Sequence, residues 1–156
     1  MVRGILWVIA NIFREVHYNI DSMKLDIRII ALGEANELLS EMKTIFPEAN
    51  VDIQRGIDLR KSATEDLFET NLISHSAYHS ITNGRRWHHE LASNAAVGLA
   101  QANRLAVDET SETPLLLLEE DCLVKYASKL KLAVAYLLAH SEKFDMAIFG
   151  AIFKGK

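Results

Sequence analysis

The chain has 156 residues, 49% of them hydrophobic, with 17 Lys and Arg against 21 Asp and Glu, a formal net charge of −4 at pH 7 and one cysteine. That length and apolar share suit one domain with a sizeable core and exclude a disordered chain. The acidic balance excludes the broad basic field used to bind nucleic acid, so no nucleic-acid partner is expected, and a single cysteine excludes an internal disulfide.

Residues 4–13 are mostly apolar but far shorter than the ~20 residues that span a bilayer. They also lack a small-residue cleavage site. Ile5, Ile9, Ile12 and Val16 fall three or four apart, so residues 1–22 read as an amphipathic extension packed on the domain or on a partner. Weak contact with a membrane surface is the sharper alternative. No transmembrane segment is expected, and the protein is read as cytoplasmic.

Residues 25–32, Leu-Asp-Ile-Arg-Ile-Ile-Ala-Leu, alternate and then turn continuously apolar, as in a strand entering a covered sheet. Gly33 breaks the run. A helix is expected over residues 34–46, with Leu38, Leu39, Met42, Ile45 and Phe46 as its apolar positions and Pro47 as its stop. Residues 50–54 form a second short strand that ends at Arg55-Gly56-Ile57-Asp58. A right-handed crossover between the two makes them parallel.

One or two short helices are expected in residues 59–83. Residues 85–108 carry the clearest helical stripe, Trp87, Leu91, Ala95, Leu99, Ala102 and Leu105. Small residues at Ala95, Ala96, Gly98, Ala100 and Ala102 suit close approach to a sheet. A strand follows over 114–118. The helix expected over 123–141 turns Ala127, Leu130, Val134, Leu137 and Leu138 inward and Lys125, Lys129 and Lys131 outward. Residues 145–149 make a last strand ending at Gly150. This alternation predicts an α/β fold, a mostly parallel sheet with helices on both faces. The chain stops soon after that last strand, so half of a larger domain is expected.

The run Pro114-Leu-Leu-Leu-Leu118 ends without a spacer in Glu119, Glu120 and Asp121. Ligands of open α/β sheets gather at the carboxyl ends of strands, and three adjacent acids repel unless a partner such as a divalent cation relieves them. The blander reading makes them the favourable negative charge at the start of the next helix. His75 and His79, four apart, share one helix face but have no third ligand nearby and receive no metal role. Glycine-rich nucleotide loops and a nucleophile elbow are absent from the sequence.

The order of these blocks resembles glycosyltransferase family 25, the lipopolysaccharide and collagen-type sugar transferases. Residues 27–32 look like the family's opening strand, 51–58 like its second conserved segment, and 115–121 like its "LILEDD" strand. Ala96-Val97-Gly98-Leu99-Ala100-Gln101 stands where the family has "GCxLSH". The resemblance implies a divergent, truncated GT-A-like, Rossmann-like nucleotide-sugar-binding half over residues 23–156, of hexosyltransferase type and acting in lipopolysaccharide biosynthesis. It would bind a nucleotide-diphosphate sugar through Mn²⁺ or Mg²⁺ and transfer the sugar to a glycan or protein acceptor. Glu119 and Asp121, two apart on an extended segment, would grip the metal, and Glu120 would face away, supporting the site or capping the next helix. Leu32, Gly33, Arg55 and Asp58 would line the nucleotide-sugar cleft, and no catalytic base is assigned. The alternatives are a catalytically silent α/β interaction domain and a metal-dependent phosphotransfer or hydrolase domain.

Overall fold

A computed structural model of the chain describes residues 24–84, 87, 90–108, 113–143 and 147. The chain divides into two compact units, Lys24–Leu123 and a second made of Met1–Met23 with Val124–Lys156. The expected N-terminal amphipathic extension lies outside the described residues, as does the expected last strand apart from Ala147. No helix among the described residues is long and apolar enough to cross a membrane.

Among the described residues the Lys24–Leu123 unit has three strands, β1 (Asp26–Ala31), β2 (Asn50–Arg55) and β3 (Leu115–Glu119). All pair in parallel, in the order β2-β1-β3. The expected α/β class with a parallel sheet is therefore observed. β1 takes the centre, and Ile27 and Ile29 are fully buried on one of its faces. The opposite face carries Arg28 and Ile30. Arg28 is accommodated because its Nη1 donates to the Ala106 carbonyl at 3.3 Å, which supplies the acceptor a half-buried cation needs.

Helix α1 (Asn36–Ile45) connects β1 to β2 and buries Leu38 and Met42, one turn apart. Glu37 in its first turn and Lys43 in its last complement the helix dipole, and the helix ends just before Pro47 as expected. The return from β2 runs through α2 (Thr64–Glu69), α3 (His75–Asn83) and α4 (Asn94–Asp108) before reaching β3 on the other side of β1. Residues 59–83 thus hold two short helices. Ser74 caps α3 by accepting from Ala77 N at 3.2 Å, and Gly84 closes it with a φ of +84°, a conformation glycine adopts without a Cβ penalty.

α4 starts later than its stripe predicts. Trp87 and Glu90 form a local turn through Glu90 N and the Trp87 carbonyl, and the helix begins after Ser93, whose Oγ accepts from Ala96 N at 3.3 Å. The capping serine decides the boundary. Trp87 is exposed, whereas Leu91 packs with Leu59, Ala77, Tyr78 and Ile81 on the buried cluster of Leu67, Ile73 and Val97.

α4 lies on the sheet face that bears Arg28, since Gln54 Nε2 also donates to one of its carbonyls, that of Ala102, at 3.2 Å. The fully buried Ile27 and Ile29 face the other way. There α1 contacts β1 and β2, because right-handed crossovers running in opposite directions place their helices on opposite faces. The chain leaves β1 toward β2 on one side and meets β3 on the other, so the strand order reverses between the carboxyl ends of β1 and β3. That point is where open α/β sheets bind ligands.

The second unit contributes α5 (Ala127–Ala139) and a short 3-10 turn, Ser141–Lys143. Val134 and Ala135 are its buried residues. Ala127, expected inward, is exposed, and Lys131, expected outward, is half-buried. His140 stands at the helix C-cap with Nδ1 2.9 Å from the Tyr136 carbonyl and its ring stacked on Tyr136, a placement the dipole favours.

Candidate functional site

A cleft of about 240 Å³ opens at the carboxyl ends of the three strands. Ile30, Gly56 and Ile57 form its floor, α4 supplies a wall of Ala95, Leu99 and Ala102, and Leu32, Glu119, Glu120 and Asp121 stand at its rim. The wall can come this close because Gly98, with Ala102 and Ala106, makes the buried ridge of α4. A Cβ at Gly98 would run into the carbonyl oxygen of Ile57. The small residues expected to allow close approach therefore do so at Gly98 and Ala102, while Ala95 and Ala100 are exposed.

The acids do not continue the strand. β3 ends at Glu119, and Cys122 N donates to the Glu119 carbonyl at 2.9 Å, so Glu120 and Asp121 are the middle of a turn. The strand alternation expected to send Glu119 and Asp121 one way and Glu120 the other does not apply there. All three line the cleft. Nor do they cap a helix: α5 starts at Ala127, and its N-cap, Tyr126, makes no side-chain cap hydrogen bond.

Glu120 is engaged within the site. Its Oε2 accepts from Leu32 N at 3.0 Å and Gly33 N at 3.3 Å, joining the loop after β1 to the turn after β3. Sequence spacing gives no hint of this contact, because its partners lie 88 and 87 residues apart. Cys122 follows the turn, and its thiol pKa is raised by burial first and then by the negative charges of Asp121, Glu41 and Glu119.

Asp58, on the loop after β2, is held by Arg60. The guanidinium donates through Nε at 2.8 Å and Nη2 at 2.7 Å, and Arg60 N donates to Oδ1 at 3.1 Å. This pair was not foreseen, although an aspartate accepting from the amide two residues on is a common turn signal. These bonds hold the Asp58 carboxyl at a pKa of about 2 against an ordinary 3.8. A folded-state value below the unfolded one means that the favourable contribution is complete above 3.8 and is lost as pH falls through about 2. An NMR titration should find the Asp58 carboxyl midpoint at about 2, returning toward 3.8 in Arg60→Ala. An unchanged midpoint in that variant would show that the pair does not form in solution.

Of the sequence-predicted residues, Leu32, Glu119 and Asp121 meet at the cleft, and Gly33 joins them through its amide. Arg55 and Asp58 lie at the end of β2 and on its loop, outside the cleft lining. Ala95, Leu99 and Ile57 also line the site; Ala95 and Leu99 belong to the helical stripe read from the sequence, whereas nothing in the sequence marked Ile57 as a site residue. His75 and His79 share a face of α3 with ring centroids 5.0 Å apart. Among the described residues no group of three or more His, Cys, Asp or Glu side chains is arranged to hold a metal ion.

Comparison of the chain with known protein families, with curated proteins and with solved structures gives no match.

Proposed function

We propose that the cleft binds a nucleotide-diphosphate sugar together with Mn²⁺ or Mg²⁺, in the manner of a GT-A-like glycosyltransferase domain. One observation carries the reading: three acidic residues line one cleft at the point where the strand order reverses, beside an apolar floor and wall. Such a rim suits a ligand that brings its own charge and cation.

The donor set fits a cation that arrives with phosphate better than a cage made by the chain alone. Mg²⁺ in particular is commonly held through one or two carboxylates plus substrate phosphates and waters. Glu119 and Asp121 would hold it, Glu120 being engaged by the Leu32 and Gly33 amides. When bound, the cation would neutralise charge on the diphosphate leaving group. Leu99 and Ala102 keep one wall apolar, and Leu32 and Gly33 set the backbone against which the diphosphate lies. No side chain at the rim is assigned as a general base.

The test is the thermal midpoint with uridine diphosphate sugars, with and without Mn²⁺, for the wild type and for the Glu119→Ala, Asp121→Ala double variant. Ligand at a hundredfold excess over its dissociation constant stabilises by about 2.7 kcal/mol, so a clear Mn²⁺-dependent rise is expected in the wild type and none in the double variant. Absence of any Mn²⁺-dependent rise would sink the proposal and favour the silent interaction domain. A rise that survives in the double variant would reject Glu119 and Asp121 as metal ligands.

A further inference from the structure

Glu120 fills a place that the sheet leaves open. Its amide continues the β1–β3 ladder by donating to the Ile30 carbonyl at 3.0 Å, and the chain then turns away. A parallel ladder would next offer Leu32 N a main-chain acceptor from β3. The Glu120 carboxylate stands in for it, 3.0 Å from Leu32 N and 3.3 Å from Gly33 N. Two successive amides converging on one anionic oxygen are how backbone binds anions. Arg60, on the loop after β2, is also within electrostatic reach of Glu120.

We infer that the Leu32 and Gly33 amides are the phosphate receptor of this cleft and that Glu120 is its tethered occupant, which an incoming diphosphate oxygen must displace. The inference rests on the diphosphate reading of the ligand given above. It assigns Glu120 a role distinct from that of Glu119 and Asp121. A side chain tethered beside the receptor competes at an effective concentration on the order of millimolar or more, so small anions should bind the wild type only weakly.

The experiment titrates metal-free inorganic pyrophosphate, in EDTA, into ¹⁵N,¹³C-labelled protein. In the wild type the Leu32 and Gly33 amide signals and the Glu120 side-chain carboxyl carbon should move together with one midpoint. Glu120→Ala should bind pyrophosphate about tenfold more tightly or better, through the same two amides. Glu120→Gln, which keeps the size but not the charge, should fall between. Glu119→Gln removes a rim charge without vacating the amides and should tighten binding far less. Equal tightening by Glu119→Gln, or wild-type amides that move while the Glu120 carboxyl stays still, would overturn the inference. So would amides that move in no protein, a result the wild type gives even if Glu120→Ala fails to fold. Pyrophosphate binding at the amides without Mn²⁺-dependent sugar-nucleotide stabilisation would uphold the receptor and sink the nucleotide-sugar reading. The reverse pattern would sink the receptor alone.

Discussion

Gly98→Ala is expected to destabilise the Lys24–Leu123 unit by about 1–3 kcal/mol, the usual range for inserting a methyl group where no space exists. Two effects compete. Alanine favours helix over glycine by roughly 1 kcal/mol, which would stabilise α4 if the new Cβ met nothing. It meets the Ile57 carbonyl oxygen, a backbone atom of the cleft floor that cannot swing aside as the end of a side chain could. The clash therefore prevails, and α4 must lift from the loop after β2. Gly98→Val should cost more. Because Leu99 and Ala102 are part of the cleft wall, the same displacement should weaken ligand binding by the surviving folded protein. Urea denaturation measures the first effect, and a stability of Gly98→Ala equal to or above that of the wild type would mean that α4 does not approach Ile57 this closely.

Ile29→Ala is expected to cost about 2–5 kcal/mol, the range for truncating a fully buried large aliphatic side chain. Ile29 has no exposed surface and lies on the central strand, paired with Ile53 of β2 and Leu118 of β3. With strands on both sides and a helix across its face, the cavity has little freedom to collapse. Ile53→Ala is the comparison. Ile53 is 36% exposed on β2, at the side of the sheet, so its loss should cost clearly less than that of Ile29. Against a total stability of roughly 5–15 kcal/mol, Ile29→Ala should shift the denaturation midpoint strongly with little change in slope. Equal costs at the two positions would contradict the placement of β1 at the centre of the sheet.

Both predictions draw on features partly legible in the sequence. The apolar run of β1 marked it as a covered strand, and the small residues around Gly98 marked α4 as a helix able to approach a sheet. Neither pattern named the atom that Gly98 meets. The start of α4 was misplaced because Trp87 and Leu91 continue its periodicity by chance, while the capping serine at Ser93 carries the local signal that stops the helix there. At the acidic rim, strand alternation was extended too far, because the turn closed by Cys122 N on the Glu119 carbonyl cannot be inferred from a run of carboxylates.

Hydrophobic periodicity by itself determined the α/β class, the order of the strands and helices within the described residues and the position of the three acids at a strand end. These follow from which backbone conformation buries a given pattern of side chains. Only the tertiary structure decided that β3 pairs beside β1, that the three acids share one cleft, and that Glu120 is bonded to the Leu32 and Gly33 amides while Asp58 is held by Arg60. Those outcomes depend on which loops meet at the mouth of the sheet. Contacts between residues nearly ninety positions apart, as between Glu120 and Leu32, are set by strand pairing and crossover direction and leave no local trace in the chain.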